Sequence, residues 1–369
     1  MKFDQLDLHS KVLLQLKVLN FEVPTAVQQL VTPEVLKGRD LVVLSPTGSG
    51  KTAAYAIPLI SEALRDDTTS LILVPTRELA SQVNLVLKSF IGNSPVRTAL
   101  LVGGVSTSPQ QKQLRSRPNV IVGTPGRVLY FSGMNLISNV KVLVLDEVDR
   151  MLEIGFRRDL DSIIRRLEGR SQTLFFSATL PKSMTEISAL YLRGPVEIDL
   201  STVDKSPDTL TQFHLYPKSL EQKDRMLFEK LRSDPGLKLV FTNRKNDTKV
   251  LSKKLTLNSI PNKFFNGGLS QSKRTQTLRE FSDGQFRVLI CTDLASRGLD
   301  IEGVTCVINY NLPNTSHDYM HRVGRTGRNG KTGVAVNLIS QAERPTWESI
   351  LKFRDTNETT FYKKKRKWR

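Results

Sequence analysis

Cysteine is almost absent: Cys291 and Cys306 are the two thiols in 369 residues. Two are too few for a disulfide framework or a zinc cluster. Both lie in strand-like apolar runs, so they read as small core residues of a reducing compartment. Long hydrophobic runs are missing too. Stretches such as Leu41-Val42-Val43-Leu44 fall far short of the about 20 apolar residues that cross a bilayer. The opening Met1-Lys2-Phe3-Asp4-Gln5 has no apolar signal region. These absences predict an intracellular chain with no membrane-spanning segment, cytoplasmic or, in a eukaryote, nuclear or nucleolar. Acids are in deficit: 36 Asp and Glu against 54 Lys and Arg leave a net charge of +18. That excess favours a polyanion, either nucleic acid or an acidic membrane surface. Apolar residues, at 39%, suffice for packed cores and exclude a disordered or fibrous chain. The length suits two domains of about 150–200 residues.

Short apolar runs recur at 41–44, 71–74, 99–102, 119–122, 142–145, 173–176 and 196–200. Several are Val/Ile/Leu-rich throughout, as strands buried on both faces are. The segments 53–64 and 78–90 are long enough for crossover helices, which predicts a parallel sheet flanked by helices. A polar stretch, Ser201 to Asp208, has no period and reads as a linker. The pattern then restarts, with strands expected at 212–216, 238–242, 287–291, 304–309 and 333–339 and an amphipathic helix near 220–232. The expected division is 1–203, linker 204–210, 211–342, and an extension 343–369 ending in a basic tail.

The strongest local signal is Ser45-Pro46-Thr47-Gly48-Ser49-Gly50-Lys51-Thr52, directly after the expected strand 41–44 and before a helical run. Glycines there let backbone N–H groups approach phosphate oxygens at a helix N-terminus. Ser45 stands at the first position of the pattern, where Gly is usual. Lys51 would reach the β- and γ-phosphates, and the Thr52 hydroxyl would bind Mg²⁺. A second strand, 142–145, runs into Asp146-Glu147-Val148-Asp149. Ligands of open α/β sheets bind at strand carboxyl ends, which brings these acids beside the loop. Asp146 suits Mg²⁺, and Glu147 suits orienting and deprotonating an attacking water.

Further segments accompany these two. They are Phe21-Glu22-Val23-Pro24-Thr25-Ala26-Val27-Gln28, Pro75-Thr76-Arg77-Glu78-Leu79-Ala80, Gly103-Gly104, Thr124-Pro125-Gly126-Arg127 and Ser177-Ala178-Thr179. In the second half stand Phe241-Thr242-Asn243-Arg244-Lys245, Gly268-Leu269-Ser270-Gln271 with Arg274, Thr292 to Asp300, and His321-Arg322-Val323-Gly324-Arg325-Thr326-Gly327-Arg328. Together, over essentially the whole chain to about residue 340, they resemble the DEAD-box ATP-dependent RNA helicases of superfamily two. Val148 stands where the family name has Ala, and Ala26-Val27 replaces the usual Pro-Ile.

The resemblance implies an α/β chain of two tandem RecA-like domains, each a mainly parallel sheet flanked by helices, with a short basic C-terminal tail. It implies ATP and Mg²⁺ as cofactors and RNA as partner, with ribonucleoprotein partners expected. Phe21 and Gln28 become adenine-side residues, and Gln28 is suited because its amide both donates and accepts. The phosphate loop (Ser45, Thr47, Gly48, Ser49, Gly50, Lys51, Thr52) and Asp300, on the ribose, complete the nucleotide set. Thr76, Arg77, Gly104, Thr124, Arg127, Arg244 and Thr292 become RNA contacts. Backbone N–H groups, hydroxyls and Arg suit phosphate recognition without base readout, and 2′-OH contacts would favour RNA over DNA. Ser177, Thr179 and His321 would couple hydrolysis to RNA. Arg325 and Arg328 would act as arginine fingers, worth roughly 10³–10⁵ in rate in related phosphoryl-transfer enzymes.

The expected activity is RNA-dependent ATP hydrolysis that locally unwinds short duplexes or remodels ribonucleoproteins by domain closure around ATP and RNA. An ATP-gated RNA clamp or scaffold with little unwinding turnover is the alternative, and a DNA helicase of the same superfamily the third reading. The tail, Phe361 to Arg369, holds six cations and no acids. It reads as a solvated end, as a non-specific RNA tether with aromatics for stacking, or as a nuclear-import signal.

Overall fold

The computed structural model describes residues 1–357 except Thr47, 135–136, Glu168, 201–209, Asp234, 294–300, Glu302 and 328–331; the side chains of Lys182, His317 and 353–357 are likewise outside it. The chain divides into two compact units, Met1–Asp204 and Lys205–Arg369.

The first unit holds a seven-stranded parallel sheet. Its strands are β1 (Leu41–Leu44), β2 (Ser70–Leu73), β3 (Thr98–Leu101), β4 (Val120–Gly123), β5 (Val142–Asp146), β6 (Gln172–Ser177) and β7 (Val196–Asp199), ordered β3-β4-β2-β5-β6-β1-β7. Alternate side chains of a strand point to opposite faces, and the core divides accordingly. Leu41, Ile72, Val122, Val144 and Leu174 pack into one cluster, while Val42, Leu71, Ile121, Leu143 and Phe175 pack into another across the sheet. Both faces are covered by helices, which is why these strands read as continuous apolar runs.

The second unit repeats the plan with β8 (Leu210–Leu215), β9 (Leu237–Phe241), β10 (Asn262–Phe265), β11 (Val288–Cys291), β12 (Val304–Asn309) and β13 (Gly333–Leu338), all parallel in the order β10-β11-β9-β12-β13-β8. Cys306 packs on one face and Cys291 on the other; both are buried, as expected of core residues. Of the expected linker 204–210, all but Leu210 lies outside the described residues, and Leu210 opens β8.

Two elements go beyond the sequence reading. Strand β10 is an edge strand, Asn-Lys-Phe-Phe, with a single fully buried side chain, Phe265. The helix Arg344–Asn357 occupies the first half of the C-terminal extension. Its Trp347 and Ile350 are buried with Leu210 and Tyr319 in a third cluster of the unit, and the Trp347 ring lies 4.7 Å from that of His214. Among the described residues no helix is long and apolar enough to cross a membrane.

Candidate active site

In the first unit the singled-out residues line one edge of the sheet, at the carboxyl ends of the strands. Strands β1, β5 and β6 carry one group, and the adjoining β3, β4 and β2 carry the other.

The first group centres on the loop after β1. Gly48 and Gly50 have φ of 85° and 95°, the left-handed region where glycine is at ease. A Cβ on Gly50 would come within 2.6 Å of Gln28 Nε2. The helix Lys51–Asp66 starts immediately afterwards, with its first N–H groups directed at the loop. Lys51 is buried, and its Nζ donates to the carbonyls of Ser45 (2.6 Å) and Pro46 (2.8 Å). The Ser45 hydroxyl donates to Ser49 Oγ, which donates to the Pro46 carbonyl. Thr47 lies outside the described residues.

Asp146 closes β5 and is buried. Its Oδ2 accepts from the Tyr55 hydroxyl at 2.9 Å; its Oδ1 is buried with no hydrogen-bond partner among the described residues. A buried carboxylate oxygen left in that state is costly unless a cation meets it, so the donor set of Asp146 and Thr52 fits a hard divalent ion. Burial lowers the Lys51 pKa, opposed by Asp146, Glu147 and Asp149. Burial raises that of Asp146, opposed chiefly by Lys51. The Tyr55 phenol is pushed well up, by burial and then by Asp146. Glu147 follows with φ 56° and ψ 52°, a left-handed backbone rare for a side chain of its kind.

Asp149 is also buried. Its Oδ2 accepts from Thr179 Oγ1 (2.8 Å) and Thr179 N (3.2 Å). Ser177 pairs in register with Leu44, and its carbonyl accepts from Ser45 N at 3.0 Å. The Ser177–Thr179 segment is therefore bonded both to the helix Val148–Ile154 that follows β5 and to the loop after β1. In the segment Phe21 to Gln28, Gln28 is buried. Its Oε1 accepts from Thr25 N and its Nε2 donates to the Gly50 carbonyl; the amide ties this segment to the loop. The Phe21 ring is 38% exposed and edge-on to Phe90.

The second group is equally compact. Thr76 caps the helix Arg77–Ile91, its Oγ1 accepting from Leu79 N. Arg77 lies against the glycine pair: a Cβ on Gly104 (φ 75°) would fall 2.0 Å from Arg77 Nη1. Thr124 caps the helix Pro125–Ser132. Arg127 Nη2 donates to the Val105 carbonyl at 3.2 Å.

In the second unit Arg244 stands at the residue before the helix Lys245–Leu257, after β9, and Thr292 follows β11. Arg325 is 7% exposed, with Nε donating to the His321 carbonyl. His321 lies in the last turn of the helix Ser316–Val323. Asp300 and Arg328 lie outside the described residues. A residue without an assigned role, Arg322, is the hub: 1% exposed, it donates to both oxygens of Asp293, to Asn243 and Asn309 side chains and to the Asn311 carbonyl. It also lies 5.0 Å over the Phe241 ring. Tyr55, Asp149 as the partner of Thr179, and Arg322 went unassigned in the sequence. Tyr55 shares a helix face with Lys51, four residues before it, and Asp149 and Arg322 lie inside the segments 146–149 and 321–328.

Comparison with known proteins fits this geometry. The family model described as DEAD/DEAH box helicase matches residues 25–187, and the one described as helicase conserved C-terminal domain matches 222–330. The chain is 38% identical to the ATP-dependent rRNA helicase RRP3 of Encephalitozoon cuniculi, over 86% of this chain and 80% of that one. The chain belongs to the DEAD-box RNA helicase family. It is also 36% identical to the ATP-dependent RNA helicase CshA of Listeria monocytogenes, over 93% of this chain and 66% of that relative. Among solved structures, S. cerevisiae Dbp5 bound to RNA and ADP BeF3 superposes with a TM-score of 0.87 at 29% identity, over 95% of this chain and 93% of that one. As a DEAD-box family member the chain thus carries two tandem RecA-like units, each matching its expected fold.

Proposed function

We propose that this DEAD-box protein binds ATP with Mg²⁺ on the first unit and uses its hydrolysis to unwind short RNA duplexes locally or to remodel ribonucleoproteins. The observation that carries the reading is the division of one sheet edge. Lys51, Asp146 and Glu147 gather at β1 and β5, and Thr76, Arg77, Gly104, Thr124 and Arg127 gather at the adjoining β2, β3 and β4. Mg²⁺ would be held by Thr52 and Asp146 and would supply neutralisation of phosphate charge.

In this mechanism Lys51 leaves the carbonyls of Ser45 and Pro46 for phosphate oxygens. Glu147 orients and deprotonates the attacking water. Arg325 and Arg328, from the second unit, meet the charge that develops on the γ-phosphate, and Asp300 holds the ribose. Because phosphate and RNA groups are divided between two units, both ligands favour one closed arrangement and bind cooperatively. Asp149 joins Thr179 to the helix that follows Asp146 and Glu147, so that the Ser177–Thr179 segment answers to the state of the nucleotide. RNA is gripped by its backbone, with little sequence preference.

The deciding experiment is Glu147→Gln. Equilibrium ATP binding should persist while RNA-stimulated turnover falls by roughly 10²–10⁴, the typical worth of general acid–base catalysis. Unchanged turnover would remove Glu147 from the reaction. Single-turnover duplex release that survives in this variant would favour the ATP-gated clamp.

A further inference from the structure

The Asp146 carboxylate, one of the two groups proposed to hold the cation, is oriented by one side chain outside every motif discussed above. Tyr55 lies four residues after Lys51 and three after Thr52 on the helix Lys51–Asp66, so its side chain comes back over the turn that carries both. It is 0% exposed. Its ring is fixed edge-on against Phe176 of β6, centroids 5.1 Å apart. Its hydroxyl donates to Asp146 Oδ2 at 2.9 Å.

A carboxylate has two oxygens, and Asp146 uses them differently. Oδ2 is taken by Tyr55, whereas Oδ1 is buried with no hydrogen-bond partner among the described residues. The side chain is therefore held in one rotation, with its bare oxygen presented on the remaining side. A free carboxylate in that place would rotate and lose orientation when a cation arrives. A hydrogen bond to a ligand's second atom removes that freedom and tunes the ligand.

We propose that Tyr55 is a positioning residue for the divalent cation: its hydroxyl sets the rotation of Asp146, so that this ligand is oriented before Mg²⁺ binds with nucleotide. Tyr55 touches neither phosphate nor water in this role; it acts through Asp146. The inference rests on the nucleotide reading given under Proposed function.

The test is Tyr55→Phe, which keeps the ring and its packing and removes one oxygen. Binding of a fluorescent ADP analogue to the full chain is titrated with Mg²⁺ and also measured in EDTA. The expected result is unchanged affinity in EDTA and a Mg²⁺ half-saturation raised about tenfold, the lower end of what loss of a ligand's hydrogen-bond partner costs. Identical Mg²⁺ curves for Tyr55→Phe and the unaltered chain would overturn the proposal while leaving the nucleotide reading intact. An equal loss with and without Mg²⁺ would also overturn it, since that is the mark of a purely structural hydrogen bond. Absence of Mg²⁺-dependent binding in the unaltered chain would overturn both.

Discussion

At the scale of single residues, Glu147 combines a demanding role with a demanding backbone. Its φ of 56° places a β-carbon where it crowds the following carbonyl, at a cost of about 1–2 kcal/mol. Strain of this kind persists where surrounding structure over-determines it. Here the flanking residues do so: Asp146 is locked into the end of β5, and Val148 and Asp149 are both buried. The strain is therefore measurable by comparing two variants that both lack the carboxylate. Glu147→Gly relieves it, and Glu147→Ala does not. Denaturant unfolding should find Glu147→Gly more stable than Glu147→Ala by about 1 kcal/mol, the reverse of the order in a helix interior. An Ala variant as stable as the Gly variant would mean that the turn relaxes and stores nothing. Both variants should lose RNA-stimulated hydrolysis, which separates the strain from the chemistry.

At the scale of elements, the helix Lys51–Asp66 carries a further cost on its far turns. Glu62 is half-buried, and its carboxyl is pushed up to about 7, first by burial and then by Asp66, with Arg65 opposing. A raised acid binds its proton more tightly folded than unfolded. The folded state thus keeps an advantage below the unfolded pKa of about 4.5 and loses it as pH rises to about 7; above that the penalty is constant. Allowing for the remaining exposure, the penalty is about 1 kcal/mol. Glu62→Gln should raise the melting temperature of the first unit at pH 8 by about 2–4 °C, the shift expected per kcal/mol in a domain of this size. At pH 4.5 the gain should vanish. A gain that is the same at both pH values would locate the effect in packing instead.

The same scale shows what was legible in the sequence. The strands Val42, Ile72 and Val144 belong to are buried on both faces, so their apolar runs stand out with no help from context, and twelve of the thirteen strands were found within two residues of their ends. Strand β10 was not, because an edge strand needs only one apolar face and offered two phenylalanines. The helix Arg344–Asn357 was not, because its burial depends on Trp347 meeting His214 and Tyr319, partners from distant segments. The site divides in the same way. Loops such as 45–52 announce themselves through local glycine and lysine spacing. The Tyr55–Asp146 bond spans 91 residues, and the grip of Arg322 on Asn243 spans 79; no local period encodes either.

At the scale of the whole molecule, the net charge of +18 has to be apportioned. The cations nearest the proposed chemistry are few and largely neutralised where they sit: Lys51 faces three acids, and Arg322 is paired with Asp293. They contribute little to long-range attraction, because a buried, paired charge projects a weak field. The six cations in 361–369 have no acid among them, and in sequence they are the densest positive segment of the chain. Their segment lies outside the described residues, so its effect is argued from charge alone. If all six meet single-stranded phosphates, removing them reduces the slope of log affinity against log salt by about 4, at ~0.7 per charge. Deleting 361–369 should then weaken single-stranded RNA binding strongly at low salt and progressively less as salt rises, until the two chains bind alike. Turnover at saturating RNA should stay unchanged, because no group of the phosphate loop, the acid strand or the Arg322 hub has been touched. A truncated chain with the same salt slope would mean that the tail does not tether RNA and that the salt dependence comes from the sheet edges, where Arg77, Arg127 and Arg244 stand.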